Sequence, residues 1–521
     1  MKKLRLNSKS SITTIGLLTL AAYGVLVPFT GFYWDDWPFA WITEFLGPAE
    51  FTPAFLPFRP FLGPIFFVTT SLIPPYPIYW QIFAVIVRFC MGLSLWWTLG
   101  NVWLKKPRLN FIAALFVIIF PGYSQHWVAL THINQELIPF IFYILSIGFT
   151  FKALRSEKPL PYTIIAILLQ ICGIYPTEYM FPLESLRFLL LFFFYFDGNL
   201  FQRFVSTLKT WWGYLLVWIS NALWLVYYYK FGPYNSYEVS VVESANFTGV
   251  FVEVLDTIWK ACFYIWIQIF TLLSKTITAP TSLLTAGLVV ISFFSLLRIL
   301  PMLEGEREEN KFSILLILTG FLSILLGRLP SLAAELPLKL QTQNDRFMIS
   351  MMIGSIFFVI GMAELLIWNN KIRSYFFLLL MALGTGQQFY TGNVFRRDWE
   401  KQKEFYWQLA SRIPALQLNT TLLTYQLPTE YEPDLSYTGP INWMYTSEFT
   451  PPELPYAVIY TEKRIGGFTL PSLEPDSPIQ FNYRTTRFSG STSQAVVIYM
   501  PANGCLRVLD PARGEIGRAH V

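Results

Sequence analysis

The amino-acid sequence predicts an all-α polytopic membrane bundle of about eleven transmembrane helices, followed by a small soluble α+β domain. Of the 521 residues, 54% are hydrophobic and only 14% are charged, whereas about 25% are charged in an ordinary soluble domain. Long apolar runs alternate with short basic clusters up to about residue 392, and the composition then becomes that of a soluble protein. We therefore expect a transmembrane module over residues 1–392 and an extracytoplasmic domain over residues 393–514.

The first apolar run, residues 12–29, is long enough to cross a bilayer as a helix. Lys2, Lys3, Arg5 and Lys9 precede it, and basic flanks stay on the cytoplasmic side of a membrane. No small-residue cleavage site follows the run, which favours an uncleaved helix over a signal peptide. The N-terminus is therefore predicted in the cytoplasm, in a multi-pass protein of the plasma membrane.

Residues 31–75 form a loop rich in proline and aromatic residues, which we expect on the external side as part of the transmembrane module. The loop contains two apolar pieces, residues 37–46 and 61–73, that are too short to span the bilayer. Apolar pieces of this length suit helices that lie along the membrane surface.

Hydropathy and the positions of basic clusters predict about ten further spans after this loop. They cover residues 76–104, 110–121, 137–151, 160–175, 181–196, 209–230, 281–300, 312–329, 347–368 and 375–390. Residues 122–136 are predicted as an external turn. Residues 251–273 are interpreted as an amphipathic external helix, because a span there would move the later basic clusters outside. The odd number of spans then leaves the C-terminus outside.

In the C-terminal domain, residues 397–412 have the pattern of an amphipathic helix. Short β-prone segments follow, separated by proline and glycine turns. They are residues 422–425, 457–460, 495–500 and 506–509. Residues 515–521, EIGRAHV, resemble translated sequencing-adapter sequence and are excluded from the fold argument.

Composition argues against several functional classes. The net charge of +5 collects in short clusters between apolar runs and forms no basic face for nucleic acid. The four cysteines are scattered without CxxC spacing, and three histidines leave little material for a histidine metal site. No GxSxG motif occurs, which argues against a serine hydrolase.

An acidic pair directly follows the first predicted span. Asp35 and Asp36 stand between Trp34 and Trp37 in the stretch YWDDW. A carboxylate at the hydrocarbon boundary is costly and tends to mark a functional site. The alternative interpretation is an aromatic belt that carries two solvated acids.

Other polar residues are predicted at the same external face, where they would form a polar cavity. They are Arg59, His126, His132, Glu178, Tyr179, Asp345 and Arg346. Arg88 lies within a predicted span, so it is either an ion-pair partner or part of such a cavity. An arginine holds a phosphate through two hydrogen bonds, and a nearby carboxylate can accept the proton of a hydroxyl. Separately, Glu184 and Arg187 are spaced to pair on one helix.

This organisation resembles that of the integral-membrane glycosyltransferases of the GT-C fold. The shared features are the N-terminal helix, the loop that opens with an acidic pair, its surface helices, about ten further spans and an external C-terminal domain. The group includes protein O-mannosyltransferases, the aminoarabinose transferase of lipid A and bacterial enzymes of the RgtA/B/C/D-like type. The resemblance covers about residues 10–392.

The specific motif of this resemblance is short. Asp35 and Asp36 match the acidic position of the family's first loop, although much of the family has glutamate at the second position. No counterpart of the acceptor-binding motif WWDYG is present, which argues against an oligosaccharyltransferase.

The resemblance implies transfer of a sugar from a polyprenyl-phosphate donor to a hydroxyl of an envelope glycan, lipid or protein, usually with inversion. Asp35 would be the general base, and Asp36 would orient the acceptor or help to bind a divalent cation, Mg²⁺ or Mn²⁺. The donor phosphate is assigned first to Arg346, then to Arg59 and Arg88. The substrate cavity would be lined by Trp34, Trp37, His126, His132, Glu178, Tyr179 and Asp345.

Two other functional classes remain open. A transporter or flippase of lipid-linked sugars would use similar arginines and aromatic residues, but it should show an internal repeat, and none is convincing here. A non-catalytic membrane protein of envelope assembly would make the two acids ordinary loop residues. Catalysis requires Asp35 or Asp36 at the floor of a cavity that is open to lipid and to water.

Overall fold

The computed structural model describes residues 7–57, 59–195, 199–231, 247–274, 279–333, 336–429, 434–446, 453–461, 472, 474–501 and 504–509. The protein is mostly helical, with a small sheet region near the C-terminus. The predicted fold class is confirmed at this level. Residues 515–521, for which an adapter origin is predicted, lie outside the described residues.

The α-helices of the described residues include most of the predicted apolar runs. They are α1 (Ser8–Tyr23), α2 (Asp36–Phe45), α3 (Phe51–Phe55), α4 (Gly63–Leu72), α5 (Pro77–Val102), α6 (Pro107–Ile118), α7 (Ala129–His132), α8 (Ile138–Leu154), α9 (Pro159–Ile174), α10 (Glu184–Phe194), α11 (Leu200–Phe231), α12 (Phe247–Ile258), α13 (Ile265–Ile267), α14 (Pro280–Leu296), α15 (Leu300–Leu303), α16 (Asn310–Ala333), α17 (Met352–Leu366), α18 (Asn370–Arg412) and α19 (Asp434–Tyr445).

Five helical segments of the described chain are long and apolar enough to cross a membrane. They are Ser8–Phe29, Pro77–Val102, Ala129–Leu154, Pro280–Leu303 and Asn310–Leu332. The 3₁₀ helix Gln343–Ser350 and α17 meet at a bend of 67° and make a sixth if they form one broken span. These segments agree with a membrane protein, and each coincides with a predicted span. The predicted total of eleven is not confirmed.

The other predicted spans fall on helices that are too short or too polar to pass this test. α6 has 12 residues, α9 has 16 and α10 has 11. α11 and α18 are longer, with 32 and 43 residues, but neither is among the candidate spans. α18 joins two predicted helices, 375–390 and 397–412, because the polar stretch between them contains no proline to end the helix.

One predicted segment differs from the structure, and a second agrees with it as a helix that is outside the candidate spans. Residues 129–136 are predicted within an external turn, but α7 and the π-helix Ile133–Leu137 continue without a break into α8. Leu130, Ile133 and Leu137 are fully buried there, so apolar packing outweighs the polar residues that suggested a turn. The predicted amphipathic segment 251–273 is helical and is not among the candidate spans.

The chain divides into two compact units. The helical unit contains residues 1–27, 82–126 and 135–393, and the mixed unit contains residues 28–81, 127–134 and 394–521. The division after residue 393 lies next to the predicted domain boundary. However, the sequence assigns loop 31–75 to the transmembrane module, whereas the structure groups it with the C-terminal domain. α2 is enclosed by protein rather than laid along a surface, since Phe39, Trp41 and Ile42 are buried.

A close helix pair stabilises the helical unit. α16 and α17 approach each other at Gly320 and Gly354, where an added Cβ atom would lie 2.5 and 2.7 Å from the carbonyl oxygen of the opposite glycine. Small residues permit such contact between membrane helices, whose association depends on van der Waals packing rather than on the hydrophobic effect.

The predicted pairing of Glu184 and Arg187 is confirmed. The Nε atom of Arg187 lies 2.8 Å from Oε1 of Glu184, and neither side chain is exposed. Tyr143 and Trp211 donate further hydrogen bonds to the carboxylate, at 2.8 and 2.7 Å. Ser146 accepts one from the guanidinium at 2.8 Å. Hydrogen bonds to both partners therefore support this buried ion pair, which is the condition under which such pairs are tolerated.

The mixed unit contains a four-stranded sheet in the order β2-β1-β5-β6, in which β1 is parallel to β2 and β5. The strands are β1 (Thr420–Thr424), β2 (Tyr456–Tyr460), β3 (Pro478–Tyr483), β4 (Thr486–Ser491), β5 (Ala495–Tyr499) and β6 (Arg507–Leu509). The four predicted strands match β1, β2, β5 and β6. The antiparallel β3–β4 hairpin and α19 were not predicted. The core lies where α18 and α19 cover one face of the sheet, around Phe405, Tyr437 and Ile498.

Replacement of Arg187 by methionine should destabilise the helical unit strongly, because Glu184 would be left buried without its cation. We expect a loss of about 3–5 kcal/mol in the free energy of unfolding, measured by denaturant titration of the detergent-solubilised protein. Arg487→Met is the control, since the Arg487–Glu453 pair is 60% and 67% exposed, and it should cost less than about 1 kcal/mol. Equal losses in the two variants would contradict the assigned role.

Candidate functional site

The two neighbouring acids of YWDDW have different surroundings in the mixed unit. Trp34 adopts a positive φ of 51°, which turns the chain directly before the acids. Asp35 occupies the N-cap position of α2, where its side chain makes no capping hydrogen bond and remains half-exposed. Asp36, the first residue of α2, is fully buried. The turn therefore presents one carboxyl group outward and encloses the other.

The Asp36 carboxyl group caps another helix. Its Oδ1 atom accepts a hydrogen bond from the backbone N–H of Thr131 at 2.8 Å, and Oδ2 accepts a longer one from the N–H of Tyr33 at 3.5 Å. Thr131 lies in α7, whose own N-cap residue, Val128, has no side-chain acceptor. Asp36 thus supplies, from a distant part of the chain, the acceptor that the first turn of a helix requires.

Burial raises the pKa of Asp36 from its ordinary value of 3.8 to about 7. The hydrogen bonds from Thr131 and Tyr33 and the nearby His132 act in the opposite direction but do not cancel this effect. His132 is almost fully buried, and its ring centre lies 6.2 Å from that of Trp34. The predicted group of Trp34, Asp36 and His132 is therefore brought together.

The second half of α18 holds the aromatic residues of the motif in place. The indole N–H of Trp37 donates to Gln402 at 2.9 Å, and the Tyr33 hydroxyl donates to the carbonyl of Phe395 at 2.9 Å. Gly31 is required at its position, because a Cβ atom there would lie 2.0 Å from the ring of Trp399. These contacts fix the backbone on both sides of the acidic pair.

Arg88 is the centre of a buried polar cluster in the helical unit. Its guanidinium carbon lies 5.1 Å from the ring centre of Tyr23 and 5.2 Å from that of Tyr123. The Tyr123 hydroxyl donates to Glu136 at 2.7 Å. Among the described residues, no hydrogen-bond acceptor faces the Arg88 nitrogens. Burial, together with the charge of Arg88, lowers the pKa of His126 well below its ordinary value, so this imidazole is neutral.

A second buried acid, Asp345, joins two turns of the helical unit. Its carboxylate accepts hydrogen bonds from the N–H of Ser124 at 3.1 Å, the side chain of Gln125 at 3.0 Å and the N–H of Gln341 at 3.2 Å. All three donors are uncharged, so Asp345 serves here as an acceptor that orders the backbone.

Arg346 follows directly and is half-exposed between two aromatic rings. Its guanidinium carbon lies 5.4 Å from the centre of Tyr179 and 5.2 Å from that of Phe347. Glu178, at the start of the 3₁₀ helix Glu178–Leu183, is also half-exposed. The predicted residues Tyr179 and Arg346 are therefore in contact, and the arginine is partly exposed beside the ring.

The remaining predicted residues divide by exposure. Arg59 is half-buried directly before the 3₁₀ helix Pro60–Leu62. His126 and Asp345 are fully enclosed, so they support neighbouring residues rather than line a cavity in this conformation. Sequence analysis missed Thr131, Tyr123 and Gln402, because no local pattern identifies a backbone donor or a partner that is distant in the chain.

The residues around Asp36 do not fit the divalent cation considered for this position. Both carboxyl oxygens already accept backbone N–H groups, whereas Mg²⁺ and Mn²⁺ require several accessible oxygen ligands. Within the described ranges, no group of three or more His, Cys, Asp or Glu side chains is placed to hold a metal. No catalytic step is therefore assigned to a metal at Asp36.

No protein-family model matches this chain, and no curated protein matches it. The functional argument therefore rests on the residues and their geometry.

The raised pKa of Asp36 predicts a pH-dependent stability. Because the folded protein holds this proton more tightly than the unfolded chain, protonated Asp36 increases the free energy of unfolding. This stabilisation is complete below about pH 4 and is lost as pH rises through about 7. It amounts to about 1.4 kcal/mol for each unit of pKa displacement. The measurement is the unfolding temperature of the wild type and of Asp36→Asn at a series of pH values between 4 and 8. The stabilisation appears as a steeper fall of the unfolding temperature with rising pH in the wild type. A pH dependence of Asp36→Asn equal to that of the wild type would contradict the assignment.

Proposed function

We propose that this protein is a membrane glycosyltransferase that moves a sugar from a polyprenyl-phosphate donor to an acceptor hydroxyl. The observation that carries this proposal is the unequal placement of the two acids in YWDDW. Asp36 is enclosed and fixes the local backbone, while Asp35, on the adjacent residue, is half-exposed and makes no capping hydrogen bond. A general base needs a rigid support and an accessible carboxyl group, and Asp35 is half-exposed next to a residue that is fixed by hydrogen bonds.

In the proposed reaction, Asp35 accepts the proton of the acceptor hydroxyl as its oxygen attacks the anomeric carbon. The bond between that carbon and the phosphate oxygen breaks on the opposite face, and the polyprenyl phosphate leaves with the electron pair. The product is the glycosylated acceptor with inverted anomeric configuration. Asp36 acts through Asp35, because a side chain without exposed surface does not touch the substrate.

Arg346 is our assignment for the donor phosphate. It is half-exposed and lies against the rings of Tyr179 and Phe347, and a guanidinium is the side-chain group that matches phosphate oxygens with two hydrogen bonds. Arg88 is fully buried, so it adds positive potential to the helical unit rather than a direct contact. Arg59, which is half-buried, is the second choice for direct contact.

The proposal includes a membrane arrangement. The GT-C-like bundle would have about eleven spans, with the N-terminus in the cytoplasm and the acidic pair and C-terminal domain outside the plasma membrane. Some of the shorter helices, such as α6 and α9, would then complete the bundle. The lipid tail of the donor would lie in the bilayer, and the acceptor would be an envelope glycan, lipid or protein.

Asp35→Asn should reduce sugar transfer by about a hundredfold or more, because the base is removed while the shape is kept. The assay uses purified protein, radiolabelled polyprenyl-phosphate sugars and membrane glycolipid fractions. Glu44→Gln is the control, since Glu44 is an exposed acid on the same helix, α2. Full transfer by Asp35→Asn would remove the assignment, and movement of labelled lipid across vesicles without transfer would favour a transporter.

Loss of the Arg346 guanidinium should weaken donor binding rather than the chemical step. We expect the apparent KM for the donor to rise about tenfold or more in Arg346→Met, since a charged hydrogen bond is lost. Arg298→Met serves as the control, because Arg298 is an exposed arginine of the helical unit. An unchanged KM in Arg346→Met would move the phosphate contact to Arg59.

A further inference from the structure

We propose that Arg484 is a positioning residue, which fixes helix α2 and the acidic pair from the tip of the β3–β4 hairpin. The inference rests on the function proposed above and adds a residue of the C-terminal domain to it. Arg484 lies more than 400 residues after the acids in the sequence, but it belongs to the same compact unit.

The Arg484 side chain reaches into the helices of the first loop. Its guanidinium carbon lies 4.8 Å from the ring centre of Phe55 and 5.6 Å from that of Phe39. Its Nη1 atom donates a hydrogen bond to the carbonyl of Ala54 at 3.4 Å. Phe39 belongs to α2, one helical turn after Asp36. Arg484 therefore contacts the helix that begins with the buried acid.

The aromatic residues under Arg484 form one cluster that joins α2, α3 and α4. The ring of Phe66 lies 5.1 Å from that of Phe39, 5.2 Å from that of Phe51 and 4.7 Å from that of Phe55. A cation held over such a cluster interacts with several ring faces. Displacement of the guanidinium would therefore weaken the packing of all three helices, rather than affect only one side chain.

The tip of the hairpin requires a left-handed backbone conformation at a position that is occupied by an arginine. Tyr483 pairs with Thr486, so Arg484 and Thr485 form a two-residue turn, and Arg484 has a φ of 55°. Glycine or asparagine adopts this conformation at lower cost than arginine. Arginine is therefore unfavourable for the turn itself, and the contacts of its side chain with the loop offset this cost.

The same hairpin provides a matched control. Arg487 lies three residues later, but its side chain is 60% exposed and pairs with Glu453, which is 67% exposed, at 2.9 Å. The Arg487 carbonyl accepts the N–H of Leu454 at 2.7 Å, so its backbone anchors the hairpin. Truncation of the Arg487 side chain removes an equal charge from the hairpin without disturbing the loop.

The test compares Arg484→Gly, Arg484→Lys and Arg487→Ala in the purified full-length protein. Arg484→Gly removes the side chain and also relieves the strained turn, so the protein should keep its unfolding temperature. Hydrogen exchange of the backbone amides of residues 36–55 should become faster in Arg484→Gly, intermediate in Arg484→Lys and unchanged in Arg487→Ala. Wild-type exchange in Arg484→Gly would overturn the proposal.

Activity gives a second measurement that a purely structural contact would not change. In Arg484→Gly we expect kcat to fall about ten- to a hundredfold, because the base is misplaced, while the donor KM stays constant. Arg484→Lys should recover part of kcat. A wild-type protein without transferase activity would overturn the proposed function, whereas wild-type kcat in Arg484→Gly, in an active enzyme, would overturn only the role of Arg484.

Discussion

The buried hydrogen bond between Asp36 and the N–H of Thr131 is the interaction on which the mixed unit depends. It connects loop 28–81 to the short stretch 127–134. Without it, the Asp36 carboxyl group and the Thr131 N–H would both be buried and lack this hydrogen bond. The side chain of Gln81 reinforces this connection, since it donates to the carbonyls of Gly31 and Trp127 at 2.9 and 2.8 Å. A buried backbone N–H without an acceptor is costly in an apolar interior. The Asp36 carboxyl group supplies the acceptor for the first turn of α7, and this hydrogen bond fixes the position of the acidic pair.

The helical unit meets the same constraint with ion pairs. Glu184 pairs with Arg187, and Glu364, which is fully enclosed, pairs with Arg108 at 2.8 Å and Arg373 at 3.0 Å. Arg88 differs, because two tyrosine rings cover its faces and no acceptor among the described residues faces its nitrogens. Buried charges are retained where they are paired or where they act on a charged ligand. This contrast supports a role for Arg88 in the positive potential that an anionic donor would experience.

Sequence analysis predicted those features that depend on local pattern. Apolar runs marked the candidate spans, β-branched segments marked β1, β2, β5 and β6, and a spacing of three residues paired Glu184 with Arg187. The grouping of loop 31–75 with the C-terminal domain could not be predicted, because it depends on tertiary packing of α2 and the β3–β4 hairpin. The different exposures of Asp35 and Asp36 could not be predicted for the same reason, because the sequence does not indicate which of two adjacent aspartates is buried.

The position of Asp36 favours aspartate over the longer glutamate at the second acidic position of YWDDW. The Asp36 side chain is fully enclosed, and its Oδ1 atom lies 2.8 Å from the Thr131 nitrogen. A glutamate would add a methylene group to a side chain that is already fully enclosed, and overpacking of a buried site costs about 1–3 kcal/mol. An aspartate at this position therefore fits the capping of α7. A carboxylate that contacted a substrate or a metal would instead need an exposed side chain. The shorter acid is thus the one suited to support, and the reactive role in the proposed enzyme falls to Asp35.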